Sequence, residues 1–204
     1  MLTVLFLLLA AAPLPDPAVD LDRTAARRTA VIAGGCFWCT EAVFESVAGV
    51  QKVVSGYAGG DAQSAHYEMV GSGRTKHAEA IEITHDPRVI SYGQLLKIFF
   101  QVAHDPTQKD RQGPDYGPQY RSTIFYRDTE EKRVAESYIK QLTAAKAFSQ
   151  PIATTLEPLS RFFPAEDNHQ DFVAHNPENR YVQAHSVPKV EKLKKDFPQL
   201  LKKK

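Results

Sequence analysis

Apolar positions recur along this chain with two periods, and the changes of period mark the elements. Thr29-Ala-Val-Ile-Ala33 is a short, partly β-branched apolar run of the kind a buried strand carries. Gly34-Gly35 ends it. Ala42, Val43, Phe44 and Val47 then follow at helical spacing, with Gly49 as the expected C-cap. Residues 50–57 return to strand character and stop at Gly59-Gly60. Residues 79–84 alternate, so Glu79, Ile81 and Ile83 share one face while Ala80, Glu82 and Thr84 share the other. Asp86-Pro87 predicts a turn. Ser91 predicts an N-cap for an amphipathic helix through Leu95, Leu96, Phe99, Phe100 and Val102. A polar stretch with Pro106, Gly113, Pro114, Gly117 and Pro118 fills residues 104–119, and a loop that long in a compact domain usually serves function. Residues 120–126 read as a strand. Asp128, with Glu131 at the third position, caps a helix through Val134, Tyr138, Ile139 and Leu142. A strand at 152–156 and a short helix at 166–174 follow. Strands interleaved with helices predict a single α/β or α+β domain.

The two ends depart from this pattern. Residues 1–12 are apolar except for Thr3, too short for a membrane span of about twenty residues and suited to the apolar region of a signal peptide, with Ala10-Ala11-Ala12 as a small-residue cleavage context. The expectation is export to the periplasm or outside the cell, with no stable membrane insertion after cleavage; the alternative is a cytoplasmic protein. Residues 13–28, with three prolines and mixed charges, read as a linker, and residues 29–190 as the folded domain. Residues 191–204 form a basic tail: from Pro188 onward seven lysines flank Val190, Leu193, Phe197, Leu200 and Leu201, which fits either a short amphipathic helix or, as charge patterning favours, a solvated tail.

Composition narrows the function. With 43% hydrophobic and 24% charged residues in 204, the chain can bury a core without a staple. Its formal charge of +1 argues against a nucleic-acid or membrane-surface binder. Two cysteines exclude a disulfide scaffold and any all-cysteine metal site, and the spacings of His66, His77, His104, His169 and His175 match no zinc pattern, leaving surface or capping roles.

Those two cysteines carry the chemistry. Cys36-Phe37-Trp38-Cys39 lies where the glycine pair meets a helix start, and free amides with the helix dipole lower a thiol pKa there. Gly34 and Gly35 would leave room for a substrate to approach the backbone. One helical turn brings Cys39 beside Cys36, so a redox pair, a structural disulfide and two inert thiols all remain open. Phe37 and Trp38, the only tryptophan, could line an apolar pocket or pack in the core. Glu79, on an otherwise apolar strand face, should point inward. Burial would raise its pKa and make it a proton donor. Tyr67, Asp115, Tyr116 and Tyr120 fall in loops or at strand starts, where tyrosine hydroxyls can bond an oxyanion or a sulfoxide oxygen.

Taken together, Gly35-Cys-Phe-Trp-Cys-Thr-Glu41, Gly56-Tyr-Ala-Gly-Gly60, His77-Ala-Glu79 with Asp86-Pro87, the run from Arg111 to Arg121, Ala165-Glu-Asp-Asn-His-Gln170 and Asn176-Pro177 resemble the A-type peptide methionine sulfoxide reductases, over residues 29–190. The resemblance implies an α/β (α+β) two-layer sandwich, ferredoxin-like, with a mixed sheet and flanking helices. It implies reduction of the S-epimer of methionine sulfoxide, free or in proteins, by a monomer with no metal or organic cofactor and a thioredoxin or thioredoxin-like reductant. Cys36 corresponds to the nucleophile and Glu79 to the acid. Phe37 and Trp38 correspond to the pocket for the substrate methyl, and Tyr67, Asp115 and Tyr120 to polar groups around the sulfoxide.

The chain also departs from the commoner family pattern. Cys39 stands where Gly is usual, and residues 171–204 lack the usual resolving cysteine, so the resolving thiol is Cys39 or belongs to another molecule. Phe163 stands where many relatives have Tyr, Lys76 where Gly is usual, and Ser64-Ala65-His66 where Asn-Pro-Thr is usual. A general thiol–disulfide oxidoreductase is the alternative reading of the pair, and a non-catalytic binder of oxidised proteins is a third.

Overall fold

The computed structural model describes residues 13–203. The segment 1–12, for which a signal-peptide region is expected, lies outside them. A six-stranded mixed sheet has the order β7-β6-β1-β3-β2-β8. Its strands are β1 (Arg28–Gly34), β2 (Val50–Ala58), β3 (Ala78–His85), β6 (Ser122–Tyr126), β7 (Thr155–Pro158) and β8 (Phe162–Pro164). All neighbours pair antiparallel except β6 and β7. The helices are α1 (Phe37–Glu45), α2 (Tyr67–Gly71), α3 (Tyr92–Ile98), α4 (Thr129–Ala144), α5 (Phe172–His175) and α6 (Val187–Asp196). A two-stranded ribbon, β4 (Arg111–Gln112) with β5 (Asp115–Tyr116), stands apart from the sheet.

The alternation in β3 sorts the two faces. Ile81 and Ile83 join the main core with Ile32, Phe44, Leu95 and Tyr138, whereas Ala78 and Ala80 join a smaller cluster with Val31 and Phe125 on the opposite face. Helices cover the first face, giving the two-layer sandwich. The helix starts follow local chemistry. Ser91 accepts from Gln94 N while Gln94 returns the bond to Ser91 N, a complete capping box. Asp128 accepts from the amides of Glu130 and Glu131. A π turn, Phe99–Ala103, extends α3.

Several expectations change here. Gly49 is not the cap of α1, whose C-cap is Ser46. It sits in the following turn at φ +85°, where a Cβ would meet Val89 and Ile90 within 2.9 Å. The 166–174 helix is split by Asp171 at φ +51° into the turn Asp167–His169 and α5. The strand expected at 152–156 begins instead at Thr155.

Both terminal segments belong to the domain. Residues 13–27 form an ordered strap. Leu14 and Leu21 are buried, Tyr138 donates to Pro15 O at 2.9 Å, and Asp20 accepts from Gly93 N at 2.8 Å. Proline pre-extends this segment and leaves carbonyls free to accept, so the linker becomes a packed edge. The basic tail likewise folds. Leu193 and Phe197 are buried, and Val47 pairs with Leu201 beyond the end of α1. The apolar stripe decides the packing; Lys192, Lys194, Lys195, Lys202 and Lys203 are exposed, while Lys189 is half-buried.

Candidate active site

β1 delivers the thiol pair. Its last residue, Gly34, and Gly35 at φ +89° lead into Cys36, the N-cap of α1. Cys36 O accepts from the amides of Cys39 (3.1 Å) and Thr40 (3.4 Å), closing the first turn. The glycines do not open a route for substrate. A Cβ on Gly34 would lie 2.8 Å from the Phe99 ring, and one on Gly35 2.5 Å from the Gln112 side chain. Their task is to let the cysteine turn lie flush against the 104–119 loop.

Across the turn, β3 places Glu79 inward at 3% exposure. Its Oε2 accepts from Phe37 N at 3.1 Å, one of the free amides at the start of α1. Burial raises the Glu79 carboxyl to about 8; Asp115 and Cys39 add to the rise, and the Phe37 amide opposes it. The carboxyl is therefore mostly protonated at neutral pH.

The thiols behave differently from the expectation of a lowered Cys36. Burial, the adjoining Cys39 and the facing Glu79 push the Cys36 thiol well up. Cys39 is held at about 6: the Cys36 S–H lowers it most, burial opposes, and Lys189 and Ser186 support the anion. The reason is physical. Desolvation outweighs the helix dipole, and Glu79 already takes the nearest free amide.

A cavity of about 220 Å³ brings most of the candidate residues together. Cys36, Phe37, Trp38 and Glu79 form its floor and wall, with Tyr67, Asp115 and Tyr120 around them. Burial raises the pKa of the Tyr67 and Tyr120 phenols, which stay protonated as donors. Phe37 is fully buried, whereas Trp38 is half-buried and stacks on Phe172 at 3.7 Å. Cys39 is not in this cavity. It lines a second cleft of about 390 Å³, where Lys189 and Gln101 also lie. Tyr116 turns outward, 65% exposed, under the Arg111 guanidinium. Phe163 does not line the cavity; its ring meets His77 edge-on. Lys76 and Ser64 border a separate cleft beside Gly59 and Arg74.

Three site residues were not foreseen as such. Tyr181 lines the cavity, and its hydroxyl donates to Asp115 Oδ2 at 2.5 Å. His169 accepts from Trp38 Nε1 at 3.1 Å, and its ring lies between those of Trp38 and Tyr67. Glu166 accepts from the Tyr57 hydroxyl and the Tyr67 amide, both at 2.8 Å. Glu166 and His169 stand in a motif quoted for the resemblance; nothing in the sequence singles out Tyr181. His77, His104 and His169 are buried, not on the surface. His104 is fixed between Phe99 O and Ser122 Oγ, and burial lowers it to about 3, so it is neutral packing.

A thiol pair at a helix start, with one sulfur sharing a small cavity with a protonated carboxyl, defines a thiol-dependent oxidoreductase for a small reducible group. The model of the family described as peptide methionine sulfoxide reductase matches residues 28–201. The chain is 53% identical over 193 residues to peptide methionine sulfoxide reductase MsrA 2 of Synechocystis sp., covering 93% of this chain and 90% of that protein. It is 50% identical to MsrA of Thermus thermophilus, covering 85% and 97% of the two chains. Among solved structures it is similar to Mxr1 from Saccharomyces cerevisiae in reduced form, at TM-score 0.66 and 30% identity over 79% of this chain and 92% of that one. It is also similar to methionine sulfoxide reductase A of Corynebacterium diphtheriae, at TM-score 0.62 and 32% identity over 82% and 84%. The chain belongs to the peptide methionine sulfoxide reductase family and is a thiol-dependent enzyme.

Proposed function

We propose that this chain reduces the S-epimer of methionine sulfoxide, free or in peptides, through Cys36, with Glu79 as the proton donor and Cys39 as the resolving thiol. The observation that carries this reading is the shared cavity of Cys36, Glu79, Trp38 and the protonated phenols of Tyr67 and Tyr120. The Trp38 ring, held by Phe172 and by its bond to His169, offers an apolar face to the substrate methyl. Glu79, Tyr67 and Tyr120 offer donors to the sulfoxide oxygen.

The Cys36 sulfur attacks the sulfoxide sulfur while Glu79 protonates the oxygen, and the Cys36 proton replaces the one Glu79 has given up. The hydroxyl oxygen then moves from the substrate sulfur to Cys36 Sγ as the S–S bond between the two sulfurs breaks, so methionine leaves as the thioether and Cys36 becomes a sulfenic acid. Cys39 then attacks Cys36. The S–S bond forms, the S–O bond breaks and water is released. A thioredoxin-like dithiol exchanges with the Cys36–Cys39 disulfide and restores both thiols. A general thiol–disulfide exchange role leaves without a task the Glu79 carboxyl and the Trp38 wall that share a cavity with Cys36.

The test is a stereospecific assay. Reduced protein with dithiothreitol should convert the S-sulfoxide of a peptide to methionine and leave the R-sulfoxide untouched. Cys36→Ser should abolish even one turnover. Cys39→Ser should release one methionine per enzyme and then stall with thioredoxin; normal cycling of that variant would remove Cys39 as the resolver.

A further inference from the structure

We propose that Ser186 and Lys189 are positioning residues for the second half of the reaction, holding Cys39 as the nucleophile that resolves the Cys36 sulfenic acid. The inference rests on the reading of Cys39 as the resolving thiol. Ser186 is completely buried, and its Oγ lies 3.1 Å from Cys39 Sγ. It ends the π turn Val182–Ser186, and such turns, which widen a helix by one residue, recur at functional sites. Tyr181, just before the turn, bonds Asp115 in the substrate cavity, while Ser186 at its end meets Cys39. Lys189, on α6, lines the same cleft as Cys39. One continuous segment therefore touches the substrate side and the resolving side of the sulfur pair.

Resolution needs Cys39 as an anion, since the thiolate is the nucleophile that forms the S–S bond as hydroxide departs and takes up a proton. A hydroxyl donating to that sulfur and an ammonium across the cleft favour the anion without being consumed. The charged or titratable groups facing Cys39 are Cys36, Tyr181 and Lys189, with Glu79 behind Cys36 and His104, Asp105, Asp115, His185 and Lys192 around the cleft. In the reduced pair the Cys36 S–H does most to hold the Cys39 thiol at about 6; once Cys36 is a sulfenic acid that S–H is gone, and Lys189, Ser186 and Tyr181 are the groups left to favour the anion.

The experiment mixes reduced full-length protein with one equivalent of S-sulfoxide and no reductant, between pH 5 and 9. Methionine release, dimedone-trapped sulfenic acid and Cys36–Cys39 disulfide are followed by mass spectrometry. In Ser186→Ala and Lys189→Met, disulfide formation relative to methionine release should slow by about tenfold, the size expected for a lost charge-assisted bond. Trapped sulfenic acid should rise, and the pH midpoint of resolution should move upward. Lys189→Arg should restore the wild-type ratio. A wild-type ratio and midpoint in Lys189→Met and in folded Ser186→Ala would overturn the proposal; Lys189 is half-buried, so its variants keep the test open if Ser186→Ala does not fold. Absence of the Cys36–Cys39 disulfide in the wild type would instead overturn the resolving role of Cys39 itself.

Discussion

Glu79 holds one oxygen against the Phe37 amide, which leaves the other free to carry the proton. Glu79→Gln keeps an acceptor for that amide and nearly the same volume but has no acidic proton to give. Methionine release in a single turnover should fall by about 10²–10⁴-fold, the range of general acid contributions, with little change in KM. The wild-type rate should also decline as pH rises through about 8, where Glu79 ionises, and that limb should vanish in the variant. An unchanged rate in Glu79→Gln would remove Glu79 as the acid. At this scale the inward face of Glu79 was legible from alternation alone, because Ile81 and Ile83 mark the same face. The direction of the Cys36 shift was not. The helix start is a local feature, but desolvation and the claim of Glu79 on the amide come from residues brought together only by the sheet.

At the scale of elements, the strap and the C-terminal helix show why ends are harder to read than centres. β3, the start of α3 and the start of α4 carry their own instructions, in alternation and in caps. The strap carries only Leu14 and Leu21 among prolines and charges, and α6 has its apolar stripe interleaved with lysines. Neither pattern says what it packs on, since the partner surfaces lie on α3, α4 and α1. Leu14→Ala with Leu21→Ala should lower unfolding free energy by about 4 kcal/mol, taking the lower part of the range for buried leucines because both lie near the rim of the core. Urea titration checks it. A loss within about 0.5 kcal/mol would mean the strap is not docked in solution.

At the scale of the molecule, groups with opposite shifts set a stability optimum. Burial raises Glu41 to about 7, Glu45 to about 8 and Glu79 to about 8; Asp171 adds to the rise of Glu45, whereas its amide opposes that of Glu41. These carboxyls hold protons in the folded state that the unfolded chain has lost. Their contribution is full below the unfolded pKa near 4.3 and is lost as pH rises toward 8. His104, lowered to about 3 by burial, works on the other side: the unfolded chain takes a proton below about 6.5 that the folded state refuses, so stability falls as pH drops. Cys39, held low, adds stability on the alkaline side, but Cys36, pushed up, works against it there, so the three carboxyls set the sign. The urea midpoint should therefore be lower at pH 8.5 than at pH 6.5. Glu41→Gln should flatten that limb, gaining about 1–2 kcal/mol relative to wild type at pH 8.5 and little at pH 5. This carboxyl is 2% exposed and sits outside the substrate cavity, so the gain should come without the loss of single-turnover rate expected for Glu79→Gln. A midpoint that stays level or rises from pH 6.5 to 8.5 would show that the buried acids lose their protons without cost, and with it the basis for a protonated Glu79 at neutral pH.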